Sequence, residues 1–240
     1  MELVRLGAVF TELHRPRPQA ELVGTRLCLA CVDVLEVSEA GIILVDADGG
    51  STSFGTSDDS PVGVVEDLQF ILGEGPGFDA YATGRPVLEP DLARPVTPRW
   101  SAFAPAALRE GVLGVFSFPL VAGTSRIGAL DLSCATTGPL SPGQRADAVV
   151  MADVVAQTLL AAQSGALPGR LGSDLGDART LRFEVHQAAG MLSEQLDIRA
   201  ADALVMLRAH AYAGQRSIDV VAREVVTRKL RIGDRLQKGG

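Results

Sequence analysis

Three sets of residues in this chain have types that could do chemistry: the thiols, the imidazoles and one glycine-rich loop. Cys28 and Cys31 stand in C-x-x-C spacing, with Cys134 far away. On a helix that spacing puts both thiols on one face, but no second Cys or His pair lies nearby to complete a tetrahedral metal site. The small, odd cysteine count also argues against a disulfide framework, so the thiols are expected as buried structural residues. The three histidines, His14, His186 and His210, lack the four-residue spacing with an intervening Glu of a zinc helix. Gly73-Glu-Gly-Pro-Gly77 has the glycines of a phosphate loop without the Lys that neutralises the phosphate. It is read as architecture, with Glu74 as a solvated loop carboxylate rather than an acid or a ligand anchor. No G-x-G-x-x-G opens a helix after the first strand, and no G-x-S-x-G marks a nucleophile. No metal and no cofactor is called for, and the chain is expected not to be an enzyme.

The elements that would carry these residues divide the chain. A length of 240 residues suits two cores, and the apolar and charged fractions, 47% and 21%, are those of folded domains. No apolar run approaches the roughly 20 residues of a membrane span, and no basic segment leads into an apolar one at the start; no membrane partner and a cytoplasmic location are expected. The net charge of −7 is unevenly spread: from Arg179 onward there are 11 Lys and Arg against 7 Asp and Glu, a net +4, and the rest of the chain carries −11. An acidic module joined to a basic one follows, and only the second suits a polyanion.

Residues 1–20 form an N-terminal extension, in which Leu3, Leu6, Val9 and Phe10 could make a short helix. Helical spacing runs from Glu21 to Leu35, and residues 41–56 read as a hairpin. A helix over about 61–72 stops at the glycine-rich loop, and a short one around Phe78–Thr83 leads into Pro86–Asp91. Another helix is expected within Arg99–Glu110, interrupted or restarted at Pro105. Strands at Val112–Val121 and Arg126–Ser133 flank a turn at Gly123, and a long helix over about 141–162 closes the module. Helices at both ends of antiparallel strands imply an α+β sheet covered by helices. Residues 164–177, with four glycines, a proline, two serines and two aspartates, form a linker. Beyond it, in 178–240, Arg179–Leu196, Ala200–Ala213 and the segment from Ser217, a suitable N-cap, to about Ile232 read as three amphipathic helices. Within the first, Ala188, Ala189 and Gly190 suggest close approach of a neighbouring helix, or alternatively of RNA.

The passage 21–163 resembles a GAF domain. The resemblance rests on Leu68-Gln-Phe-Ile-Leu-Gly-Glu-Gly-Pro76, Arg99-Trp100, and Phe118–Gly123 running into Ile127–Leu132. It implies an antiparallel sheet flanked by helices, with a pocket for a small-molecule or protein signal, whose candidate walls are Phe54, Phe70, Trp100, Phe103 and Phe116. In a sheet module such aromatics are more often core. Residues 178–240 resemble an ANTAR domain, a three-helix bundle, through Gln187-Ala-Ala-Gly-Met-Leu192, Ala203-Leu204 with Leu207-Arg-Ala209 and Ala211, and Val221-Ala222 with Val225. Arg199 stands where that family usually has Ser or Thr, with Asp197 or Asp202 to compensate, and Ala189 replaces a frequent Lys. This resemblance implies a homodimer that binds paired hairpins in nascent RNA so that a terminator cannot form: transcription antitermination. The candidate RNA-binding residues are Arg182, Gln187, Arg208, Arg216, Arg223 and Arg228, Arg208 matching the motif directly. Two alternatives stay open. One is a DNA-binding module built on the helix after Gly214, and the other a dimeric protein-interaction adaptor paired through helices 141–162 and 179–196.

Overall fold

The computed structural model describes residues 23–45, 51–57, 63–95, 98–163, 183–214 and 216–232. The N-terminal extension with His14, the tip of the first hairpin, the linker 164–177 and Arg182 lie outside the described residues. Helix α1 (Val23–Leu35) precedes the hairpin β1 (Glu39–Val45) and β2 (Ser51–Thr56). Then come α2 (Val64–Leu72), α3 (Pro76–Thr83), β3 (Val87–Glu89) and α4 (Phe103–Arg109). Strands β4 (Gly114–Ala122) and β5 (Ser125–Cys134) and the helix α5 (Pro142–Gln163) complete the first unit. The second comprises α6 (Phe183–Leu196), α7 (Ala200–Ala213) and α8 (Ile218–Val226).

The five strands form one antiparallel sheet in the order β2-β1-β5-β4-β3. Strand β3 replaces what reads in sequence as a connection: its three residues lie between Pro86 and Pro90, too short for alternation to show, yet they pair with Val115–Ser117. The helix expected within Arg99–Glu110 starts only at Phe103, so Pro105 falls in its first turn, where a missing N–H costs nothing.

Period-two alternation gives the sheet two different faces. Phe116, Phe118 and Leu120 of β4, Leu130 and Leu132 of β5 and Ile42 of β1 pack against Leu27, Cys28, Cys31 and Leu35 of α1 and Met151, Val155 and Leu159 of α5. Val115, Ala129 and Ile43, at the alternate positions, pack with Val65 of α2, Ala80 of α3, Trp100 and Phe103. Among the described residues no helix is long and apolar enough to cross a membrane.

The first helix lies directly on β2. A Cβ on Gly24 would fall 2.2 Å from the carbonyl oxygen of Phe54, and one on Gly55 would fall 2.3 Å from the carbonyl carbon of Gly24. The register slips between Ile42, opposite Gly55, and Ile43, opposite Ser53, leaving Phe54 as the extra residue of a bulge that sends its ring into the α1 and α5 core. Backbone cannot yield as a side-chain tip can. Gly55→Ala is therefore expected to destabilise the chain by about 1–3 kcal/mol, read as a lower urea midpoint with the slope unchanged; an unmoved midpoint would show that the helix is not seated on the strand.

Candidate functional site

On the sheet face covered by α2, α3 and α4, two strand positions carry polar side chains in place of apolar ones. Ser117 of β4 and Asp131 of β5 are direct cross-strand partners, 0% and 2% exposed. The Ser117 hydroxyl donates to Asp131 Oδ1. Gln69 of α2, equally buried, donates from Nε2 to Asp131 Oδ2 at 2.6 Å and accepts at Oε1 from the Gly77 amide at 2.7 Å. A Cβ on Gly77 would lie 2.7 Å from Asp131 Oδ2, so the first turn of α3 rests on the carboxyl group itself. Burial pushes the Asp131 carboxyl up to about 6, against the opposing pull of the hydrogen bonds from Ser117 and Gln69.

A second carboxylate lies beside it. Glu66 of α2 is buried, and its oxygens occupy the space that Cβ atoms on Gly41 and Gly63 would fill. Gly41, Val65, Glu66, Asp131 and Ser133 bound a hollow too narrow to admit a water molecule. On the far side of the sheet, burial raises the Cys28 thiol well above its ordinary range, with Cys31, Glu66 and Asp131 adding to the shift; burial alone pushes Cys31 up to about 12. Both thiols stay protonated at neutral pH and serve as core, unlike the thiolates of metal or nucleophilic sites.

The five aromatics expected as pocket walls are not brought together. Phe54 and Phe116 belong to the α1 and α5 core, Trp100 and Phe103 to the opposite face, and Phe70 to a third cluster with the C-terminal helices. Trp100 sits at φ 54°, an unusual conformation for a bulky residue. Its indole donates to Asp79 Oδ2 at 3.1 Å, the Phe103 ring lies edge-on with centroids 6.0 Å apart, and the Arg99 guanidinium stacks 4.7 Å above it. Glu74 is no solvated loop carboxylate: its Oε1 accepts from the amides of Ala102 and Phe103 at 2.7 and 2.9 Å, capping α4.

The C-terminal helices enclose their own cluster, including Val185, Leu192, Leu207, Ile218 and Val225. Ser217 caps α8 by accepting from the Asp219 amide at 3.3 Å, and Arg199 grips Asp202 through two hydrogen bonds at the start of α7. Of the residues expected to meet RNA, Gln187, Arg223 and Arg228 are exposed. Arg223 pairs with Glu184 at 3.0 Å and Arg216 with Glu224 at 2.5 Å. Arg208 points elsewhere: its guanidinium lies 5.1 Å from the ring centroid of Phe70, with Nε and Nη2 shut off from solvent. The approach expected at Gly190 is also missing: apart from its chain neighbours and the backbone of its own helix, none of the described residues comes within 4 Å of a Cβ built there.

In the fold Asp131 holds its proton up to about pH 6, and in an unfolded chain only to about pH 4. Between those limits the folded chain binds the extra proton, so this group makes stability fall as pH rises from about 4 to about 6, by roughly 2–3 kcal/mol, and leaves it level above. Asp131→Asn should remove that decline from urea midpoints taken across the interval; the same decline in the variant would assign it to other groups.

Residues 21–159 match the GAF domain family. A domain assigned to a two-component sensor histidine kinase protein from Sinorhizobium meliloti 1021 superposes with a TM-score of 0.50 at 16% identity, covering 62% of this chain and 96% of that one. The GAF domain from an Acinetobacter phosphoenolpyruvate-protein phosphotransferase gives a TM-score of 0.49 at 15% identity, covering 70% and 98%. At 16% identity the first of these likenesses concerns fold alone. None of the curated proteins matches the chain. The match spans more than half of the 240 residues, and the chain belongs to the GAF domain family, whose members are signal-sensing modules.

Proposed function

We propose that the chain is a signal-responsive, non-catalytic regulator in which the GAF module reads a small-molecule or protein signal and the C-terminal helices, as a homodimer, bind hairpins in nascent RNA to cause transcription antitermination. The reading rests on the ANTAR resemblance together with one observation, the surroundings of Gly190. A glycine inside a helix costs roughly 1 kcal/mol relative to alanine, and here no close approach among the described residues offsets that cost. Gln187 lies one turn away on the same helix and is exposed, and the Glu184–Arg223 pair lies one turn before that. An exposed ion pair of this kind is weak and readily gives up its arginine to a phosphate. Arg228, Lys229 and Arg231, all exposed, extend the basic surface past the end of α8.

A second reading, a protein-interaction adaptor, draws on a different face. Val205 and Tyr212, two turns apart on α7, are 58% and 69% exposed, an apolar stripe suited to a protein partner.

The test is binding of the full chain to a two-hairpin RNA, with duplex DNA and scrambled RNA as competitors, at two salt concentrations. Arg223→Ala with Arg228→Ala should weaken hairpin binding and lower the slope of log K against log salt by about 0.7–0.9 for each phosphate that is no longer neutralised. Gly190→Ala should raise stability by about 1 kcal/mol, while Gly190→Leu should abolish hairpin binding in a chain that remains folded. Equal binding to DNA or scrambled RNA contradicts the RNA reading, and a dimer that binds neither nucleic acid favours the adaptor.

A further inference from the structure

Helix α2 belongs to two cores at once. Val65 packs on the sheet, whereas Phe70 is 2% exposed inside the cluster of the C-terminal helices, with Ile71 packed against it. Two side chains of that unit meet the Phe70 ring: His186 of α6 edge-on, with centroids 6.0 Å apart, and Arg208 of α7 with its guanidinium 5.1 Å from the ring centre. The same arginine reaches the carboxyl end of α2. That helix has no basic residue in its last turn and ends on Gly73 in the left-handed conformation, and a Cβ on Gly73 would stand 3.1 Å from Arg208 Nη1. A cation at the negative end of a helix dipole and a cation over an aromatic face are both favourable, and both gain from removal of water. Arg208 thus supplies α2 with a charge that the helix's own sequence lacks.

Gln69, the neighbour of Phe70, makes the hydrogen bonds to Asp131 and Gly77. A displacement of the α2 backbone that breaks them also moves Phe70, the residue on which the C-terminal helices dock. We propose that α2 is an intramolecular latch: Phe70 and the carboxyl end of the helix hold Arg208 away from its ligand, and rearrangement at Gln69 and Asp131 releases it. The masking of Arg208 from RNA rests on the proposed function; the latch itself does not.

Hydrogen exchange on the full chain, read beside hairpin binding, separates the two. Phe70→Leu keeps an apolar side chain in the cluster and removes the aromatic face. It should speed exchange of the α7 amides around Arg208 roughly threefold to thirtyfold and tighten hairpin binding by a similar factor, with β4 and β5 exchange unchanged. Arg208→Ala should reproduce the faster exchange without the gain in binding. Unchanged α7 exchange in both variants overturns the latch. Faster exchange in Phe70→Leu without tighter binding, in a chain whose parent binds the hairpin, overturns the masking of Arg208. Faster exchange in a chain that never binds the hairpin supports the latch and overturns the RNA reading.

Discussion

A carboxyl group moved from water into a protein interior costs several kcal/mol in its charged form unless hydrogen bonds replace its hydration. Asp131 lies in the middle strand of the sheet under that constraint, and much of the first unit is arranged around it. Ser117 must stand opposite on β4, Gln69 must reach down from α2, and Gly77 must lack a side chain so that α3 can close over the carboxyl. The network is satisfied from within the chain, and the hollow beside it is too narrow for water. Movement of α2 or α3 would break the hydrogen bonds that join Gln69 to Asp131 and Gly77.

The position of α2 gives that movement a consequence. A short helix that contributes Val65 to one core and Phe70 to another cannot shift without disturbing both. Interfaces built on a few aromatic and charged contacts, such as those of Phe70 with His186 and Arg208, hold by only a few kcal/mol in total, within reach of a differential binding energy. The C-terminal helices keep most of their apolar contacts among themselves.

Most elements, the hairpins and the capping Ser217 are written in local patterns of spacing and turn residues; the structure adds β3, and α8 ends at Val226 rather than at about Ile232. The polar network was also partly legible: Asp131 stands between Leu130 and Leu132, and Ser117 between Phe116 and Phe118, each a polar residue inside an apolar strand. Their pairing was not. Counting back from the Ala122–Ser125 pair sets Ser117 opposite Leu130, and only the irregularity between Leu120 and Val121 brings it to Asp131. Aromatic character does not tell which face a strand residue takes: alternation sends Phe116 to the face covered by α1 and α5. Arg208 fits a motif in its own helix, but its partner lies 138 residues earlier, and a contact of that range has no local signature. Glu74 illustrates the same limit, since the amides it caps belong to α4.

Among the described residues, the contacts of Phe70 with His186 and Arg208 offer a route through α2 for the proposed coupling between the interior of the sheet and the C-terminal helices. A double-mutant cycle with Asp131→Asn and Arg208→Ala, read in the stability of the α7 amides by native-state hydrogen exchange, measures that coupling directly. The two sites meet different faces of α2, and substitutions at independent sites add to within about 0.3–0.5 kcal/mol. Coupling through the helix predicts a departure from additivity beyond that limit; additivity within it would mean that the sheet interior and the C-terminal helices do not communicate.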